Sequence, residues 1–171
     1  MIRVEIFNRT EAAVTDATVA LIEEAADRTA RKTPFQETLT RLDLSAVCQL
    51  TLVDGETIRE TNREFREVDR VTDILSFPSL AMTEGRYDGE FSAETLVNPF
   101  AEEREVFLGD LMLCMDKARE QAEAFGQTVD QEVAFLISHG ILHLLGYDHM
   151  ETEEDKRMRA IQAEVRAEMG F

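Results

Sequence analysis

Residues 128 to 149 read "TVDQEVAFLISHGILHLLGYDH". Thr128 and Gln131 have the spacing in which each side chain takes up the other's backbone N–H, so a helix is expected to open here. It runs to about Leu145 and stops at Gly146. All three histidines of the chain, His139, His143 and His149, fall in the last eleven residues of this stretch. His139 and His143 are four residues apart, so they project from one helix face, a turn apart. A turn through Tyr147 and Asp148 can bring His149 back towards that face. Three imidazoles from a helix and its following turn can occupy three corners of a tetrahedron. The fourth corner then stays open for water or substrate, as in catalytic zinc sites. A closed structural site would want a fourth protein ligand, Cys114 or an aspartate, and neither cysteine lies near in sequence.

The pattern H-x-x-x-H-x-x-G-x-x-H is also that of the metzincin proteases, which carry a Glu directly after the first His as general base. Here that position is Gly140. Glycine cannot take a proton, so a zincin-like metallopeptidase is the second reading. A non-catalytic, metal-stabilised factor that binds ribosomes or proteins is the third.

Working outward, "IRVEIF" (2–7) alternates Ile2, Val4 and Ile6 on one face and reads as a strand. Residues 15 to 32 carry Val19, Ile22 and Ala26 at helical spacing. "SAVCQLTLV" (45–53) reads as a second strand. Asp54 can cap a helix over about 56–67. "VTDILSF" (71–77), stopped by Pro78, is a third strand. "EVFLGDLMLCM" (105–115) is a fourth, followed by a helix to Phe125. A last helix begins near Thr152, with Glu153, Glu154 and Asp155 suited to its positive end and Met158, Ile161, Val165 and Met169 on one stripe. The expected architecture is α+β: one domain over 1–171, with a small mixed four-stranded sheet against about five helices. The metal site sits on a helix and the following turn. Residues 79–104 lack periodicity and are expected to form a loop insertion, of the kind used as lids or binding loops.

Apolar residues make up 44% of the chain and charged residues 31%, as in ordinary globular proteins. The opening "MIRVEIFNRT" has no basic-then-apolar pattern, so no leader peptide is expected. The uncharged stretch 134–147 is too short to span a bilayer, and no membrane role is expected. Two unpaired cysteines are consistent with a reducing cytoplasm. The net charge of −17 argues against coating nucleic acid through global electrostatics. A nucleic-acid enzyme would need a local basic patch. "RETNREFREVDR" (59–70) offers one, because Arg59, Arg63, Arg66 and Arg70 fall within roughly 60° of arc on a continuous helix. The same arginines suit a solvated helix laced by ion pairs with Glu60, Glu64 and Glu67. A helix ending near Glu67 would leave three arginines on the ridge.

Three blocks together resemble the YbeY family: "HGILHLLGYDH", "TNREFREVDRVTDILSFP" (61–78) and "LGDLMLC" (108–114). The resemblance covers about residues 47 to 150, apart from the loop. It implies an α+β fold with one zinc ion per chain. It also implies a single-strand-specific endoribonuclease that matures ribosomal RNA at the 3′ end of 16S rRNA and serves ribosome quality control. The partners implied are single-stranded RNA, the small ribosomal subunit and ribosomal proteins. By motif match, His139, His143 and His149 are the metal ligands, and Arg66, after Phe65, is the functional arginine. Arg59, Arg63 and Arg70 are assigned to substrate binding. Asp148 serves as general base, as a group orienting a histidine, or equally as a plain turn residue before His149. Thr72, Asp73, Ser76 and Asp110 belong to the same blocks, with structural roles equally open to the last three. Val71 stands where the family often has Pro, and the 79–104 loop is longer and more acidic than usual.

Overall fold

The computed structural model describes residues 1–89, 92, 104–148 and 152–171. The main sheet is built from β1 (Ile2–Asn8), β2 (Ser45–Val53), β3 (Ile74–Pro78) and β6 (Glu105–Cys114), in the order β1-β2-β6-β3. β2 is parallel to both β1 and β6, and β3 runs antiparallel to β6 at the edge. The sheet is therefore mixed, as expected. The parallel pair β1–β2 is joined by a crossover containing α1 (Asp16–Arg31) and α2 (Phe35–Leu42), since parallel strands cannot be linked by a tight turn.

The remaining helices are α3 (Gly55–Arg66), α4 (Met115–Phe125), α5 (Val129–Leu144) and α6 (Thr152–Glu168). Among the described residues there are thus six helices. The addition to the expected five is α2, eight residues long. Helices α1 and α5 share a core with the sheet that includes Ile22, Ala26, Leu50, Leu111, Ile137 and Ile141. Ile137 and Ile141 are completely buried, and each contributes about 1.5–3 kcal/mol by leaving water. A smaller cluster of Val53, Ile58, Leu75 and Cys114 lies under α3.

The third strand begins at Ile74, three residues later than its sequence suggests, and Asp73 fixes that start. Its carboxylate accepts from the Ile74 N–H at 2.7 Å and from the Gln121 amide at 2.9 Å, while its carbonyl accepts from the Cys114 N–H at 2.8 Å. Asp73 is therefore a structural bracket between β3, β6 and α4. Asp110 is exposed on β6, opposite Phe77. Gly109, at φ +132°, lets β3 cross β6 closely, because a Cβ there would meet the Phe77 carbonyl oxygen at 2.2 Å.

The segment expected as a long loop begins as a hairpin. β4 (Met82–Thr83) pairs with β5 (Arg86–Tyr87) through Glu84 and Gly85, both at positive φ, as the tightest hairpin turns require. The rest of the predicted insertion falls largely outside the described residues. No helix among the described residues is long and apolar enough to cross a membrane.

Candidate metal centre and cleft

The capping box of α5 forms as its sequence dictates. The Gln131 N–H donates to Thr128 Oγ1 at 3.2 Å, and the Thr128 N–H donates to Gln131 Oε1 at 3.0 Å. The helix is buried along most of its length, with His139 and His143 half-buried. Gly140 packs closely on the sheet. A Cβ on it would lie 2.9 Å from both Ile74 Cδ1 and Leu111 Cδ2. The position that holds the metzincin base is here packed against β3 and β6.

The helix ends in a Schellman turn: Tyr147 N–H donates to the Leu142 carbonyl at 3.0 Å and Gly146 N–H to the His143 carbonyl at 3.1 Å. Gly146 takes φ +78°. The β4–β5 hairpin braces this turn, with Glu84 N–H donating to the Gly146 carbonyl at 3.2 Å and Gly85 N–H to the Leu145 carbonyl at 2.8 Å. The hairpin thus holds the turn that leads away from the two histidines.

His139 and His143 bring their Nε2 atoms to 3.1 Å, with the rings 80° apart in plane. Two imidazole nitrogens bound at 2.0–2.1 Å on a tetrahedral zinc would stand about 3.3 Å apart. The pair therefore fits a metal in both chemistry and spacing. His149, the third predicted ligand, lies outside the described residues. Among the described residues no group of three or more His, Cys, Asp or Glu gathers as a metal site. Cys114 sits in the cluster under α3. Around His139, the Phe135 ring stacks at 6.0 Å and 26°, and the buried Gln162 amide nitrogen lies 3.4 Å from Nδ1.

The histidines open into a cleft of about 550 Å³ whose walls include Arg66, Ser76, Met82, Tyr147 and Asp148. Tyr147 is 5% exposed, and burial together with the Glu84 carboxylate raises its phenol above the ordinary value. Arg66 is the last residue of α3, and its Nη2 donates to the Ser76 carbonyl at 2.9 Å. Its guanidinium carbon lies 6.0 Å from the centre of the Phe77 ring, which Phe65 meets edge-on at 5.3 Å. Of the four arginines in the predicted ridge, Arg66 is the one that lines the cleft. Arg59 is held by Asp69 through Nε–Oδ1 at 2.7 Å and Nη2–Oδ2 at 3.1 Å. Arg63 is exposed, and its charge helps Arg59 to lower the Asp69 carboxyl. Arg70 has left the helix, because Glu67 turns left-handed at φ 58° and the buried Asn62 amide binds the Arg70 carbonyl at 3.0 Å. Sequence reasoning missed Gln162, Phe135 and the cleft roles of Met82 and Tyr147. The available signal for Gln162 was an amide lying within the apolar stripe of α6.

Comparison with known proteins identifies the family. The model of the family described as Endoribonuclease YbeY matches residues 5–170. A protein of that name from Lachnospira eligens is 42% identical over 132 residues, covering 74% of this chain and 77% of that protein. Another, from Bacillus cereus, is 37% identical over 158 residues, covering 92% of this chain and 90% of its own length. The solution structure of TM1509 from Thermotoga maritima covers 98% of this chain and 91% of that one, with a TM-score of 0.55 and 24% identity, and shows the fold alone. On the match over nearly its whole length, the chain belongs to the Endoribonuclease YbeY family.

Proposed function

We propose that this protein is a zinc-dependent endoribonuclease of the cytoplasm that hydrolyses phosphodiester bonds in single-stranded RNA. Its substrate is ribosomal RNA, cut at the 3′ end of 16S rRNA, and it works with the small ribosomal subunit and its proteins in rRNA maturation and quality control. The observation that carries the reading is the convergence of His139 Nε2 and His143 Nε2 at 3.1 Å in the cleft that Arg66 lines. Membership in a family of endoribonucleases supports the RNA substrate.

His139, His143 and His149 would hold one zinc ion per chain. Bound there, zinc would supply Lewis acidity for a phosphoryl oxygen and would bring the pKa of water towards neutrality. Arg66 presents a planar, permanently charged fork to the phosphate oxygens, where negative charge gathers during attack. Its bond to the Ser76 carbonyl keeps the guanidinium oriented, so little reorganisation is needed. Asp148 is the carboxylate lining the cleft among the described residues, and it accepts the proton of the attacking nucleophile. Arg59 and Arg63 on α3, and Arg70 beyond its end, contact flanking phosphates. The peptidase reading recedes further, because position 140 faces the packed sheet, where a Cβ would already press on Ile74 and Leu111.

The test compares a labelled single strand with the same strand in a duplex, before and after chelation and with zinc restored. Cutting confined to the single strand, lost on chelation and regained with zinc, supports the reading. Undiminished cutting after complete removal of metal contradicts it.

A further inference from the structure

Gln162 is 8% exposed and stands on the buried side of α6 with Met158 and Val165. An amide left unpaired in such a place costs about 1–3 kcal/mol, so its partner carries information. That partner is His139 Nδ1, 3.4 Å from Gln162 Nε2. Phe135 meanwhile stacks on the ring of His139. The imidazole is thus held over its plane by one residue and at its rear nitrogen by another, and its Nε2 faces His143.

We propose that Gln162 is the positioning residue of the metal centre, an amide that fits His139 both with and without zinc. The inference rests on the zinc reading above. With its nitrogen 3.4 Å from Nδ1, the amide as it stands suits the tautomer whose ring proton is on Nε2, the atom 3.1 Å from His143 Nε2. Ligation through Nε2 requires the other tautomer: one proton leaves Nε2 for solvent and one is taken up at Nδ1. Nδ1–H then needs an acceptor. A half-turn of the Gln162 amide exchanges nitrogen for oxygen within nearly the same volume and supplies it. A carboxylate would serve the metal-bound tautomer alone, and an apolar side chain neither.

The test measures zinc affinity by chelator competition in full-length wild type, Gln162→Met and Gln162→Glu. The ring nitrogens of His139 are followed by 15N NMR in parallel. Gln162→Met should lose zinc affinity by about 10- to 100-fold, the range seen when partners of ligating histidines are removed. Gln162→Glu, which keeps an acceptor, should bind zinc at least as tightly as wild type. In wild type, zinc should move the His139 proton from Nε2 to Nδ1. If Gln162→Met binds zinc like wild type, or if Gln162→Glu binds as weakly as Met, the inference is wrong while the zinc reading stands. A wild-type protein that takes up no zinc overturns both. Should Gln162→Met not fold, Gln162→Glu and the wild-type NMR signal decide.

Discussion

Gly146 sits so close to Met82 that a Cβ on it would lie 2.0 Å from the Met82 carbonyl oxygen. This contact joins the end of the histidine helix to the β4–β5 hairpin. Gly146→Ala meets both a left-handed backbone and a backbone wall that cannot give way. It should destabilise the fold by more than about 2 kcal/mol and weaken zinc binding with it. Urea unfolding measures the first effect. A variant with a wild-type midpoint would show that the hairpin does not brace the turn.

Gly140 makes a second, more yielding contact, with the ends of Ile74 and Leu111. Gly140→Ala overpacks the core and should cost about 1–3 kcal/mol. Gly140→Glu, which completes the protease pattern, should unfold the protein rather than create a peptidase. Circular dichroism and a casein digest distinguish the two outcomes.

Arg66→Ala should reduce single-stranded RNA cleavage by about 10²- to 10³-fold with zinc content unchanged, as expected when a donor to the developing charge is lost. Arg66→Lys should recover part of that loss, since it keeps the charge without the fork. Arg63→Ala should act on binding instead, lowering the salt slope of RNA affinity by about one. Cleavage by Arg66→Ala at the wild-type rate would remove this arginine from the chemistry.

Cys48 gives the pH dependence. Burial, with Asp110 and Glu5 nearby, pushes its thiol up to about 12. Unfolded, the thiol ionises near its ordinary value of 9.0. Between these values the unfolded chain binds fewer protons than the folded one, so stability falls as pH rises. Urea midpoints of wild type should drop between pH 8 and 10.5, and those of Cys48→Ala should drop less. Equal slopes would contradict the assignment.

The helix, its cap and its stop were legible in the sequence because each rests on local chemistry: a Thr–Gln box, an apolar face and a glycine. The four strands were legible for the same reason, although β3 starts late because Asp73 and its tertiary partners set that boundary. Helix α2 escaped notice because eight residues after Thr33-Pro34 carry too little periodicity. The hairpin at 82–87 takes its role from contacts with the Gly146 turn, which no local pattern announces. Of the two outcomes open to the arginine ridge, the left-handed Glu67 gives the shorter, with Arg59, Arg63 and Arg66 on the helix and Arg70 beyond it. Gln162 was hidden for another reason: its meaning depends on His139, 23 positions away in the chain.

The central claim is that His139 and His143 belong to a catalytic zinc site. Its most direct test is the zinc content of purified wild type and His143→Ala, read beside their cleavage of one labelled single-stranded RNA. About one zinc per wild-type chain and cutting are expected, with both lost in the variant. A wild-type protein that holds zinc beside a variant that cuts equally well would contradict it.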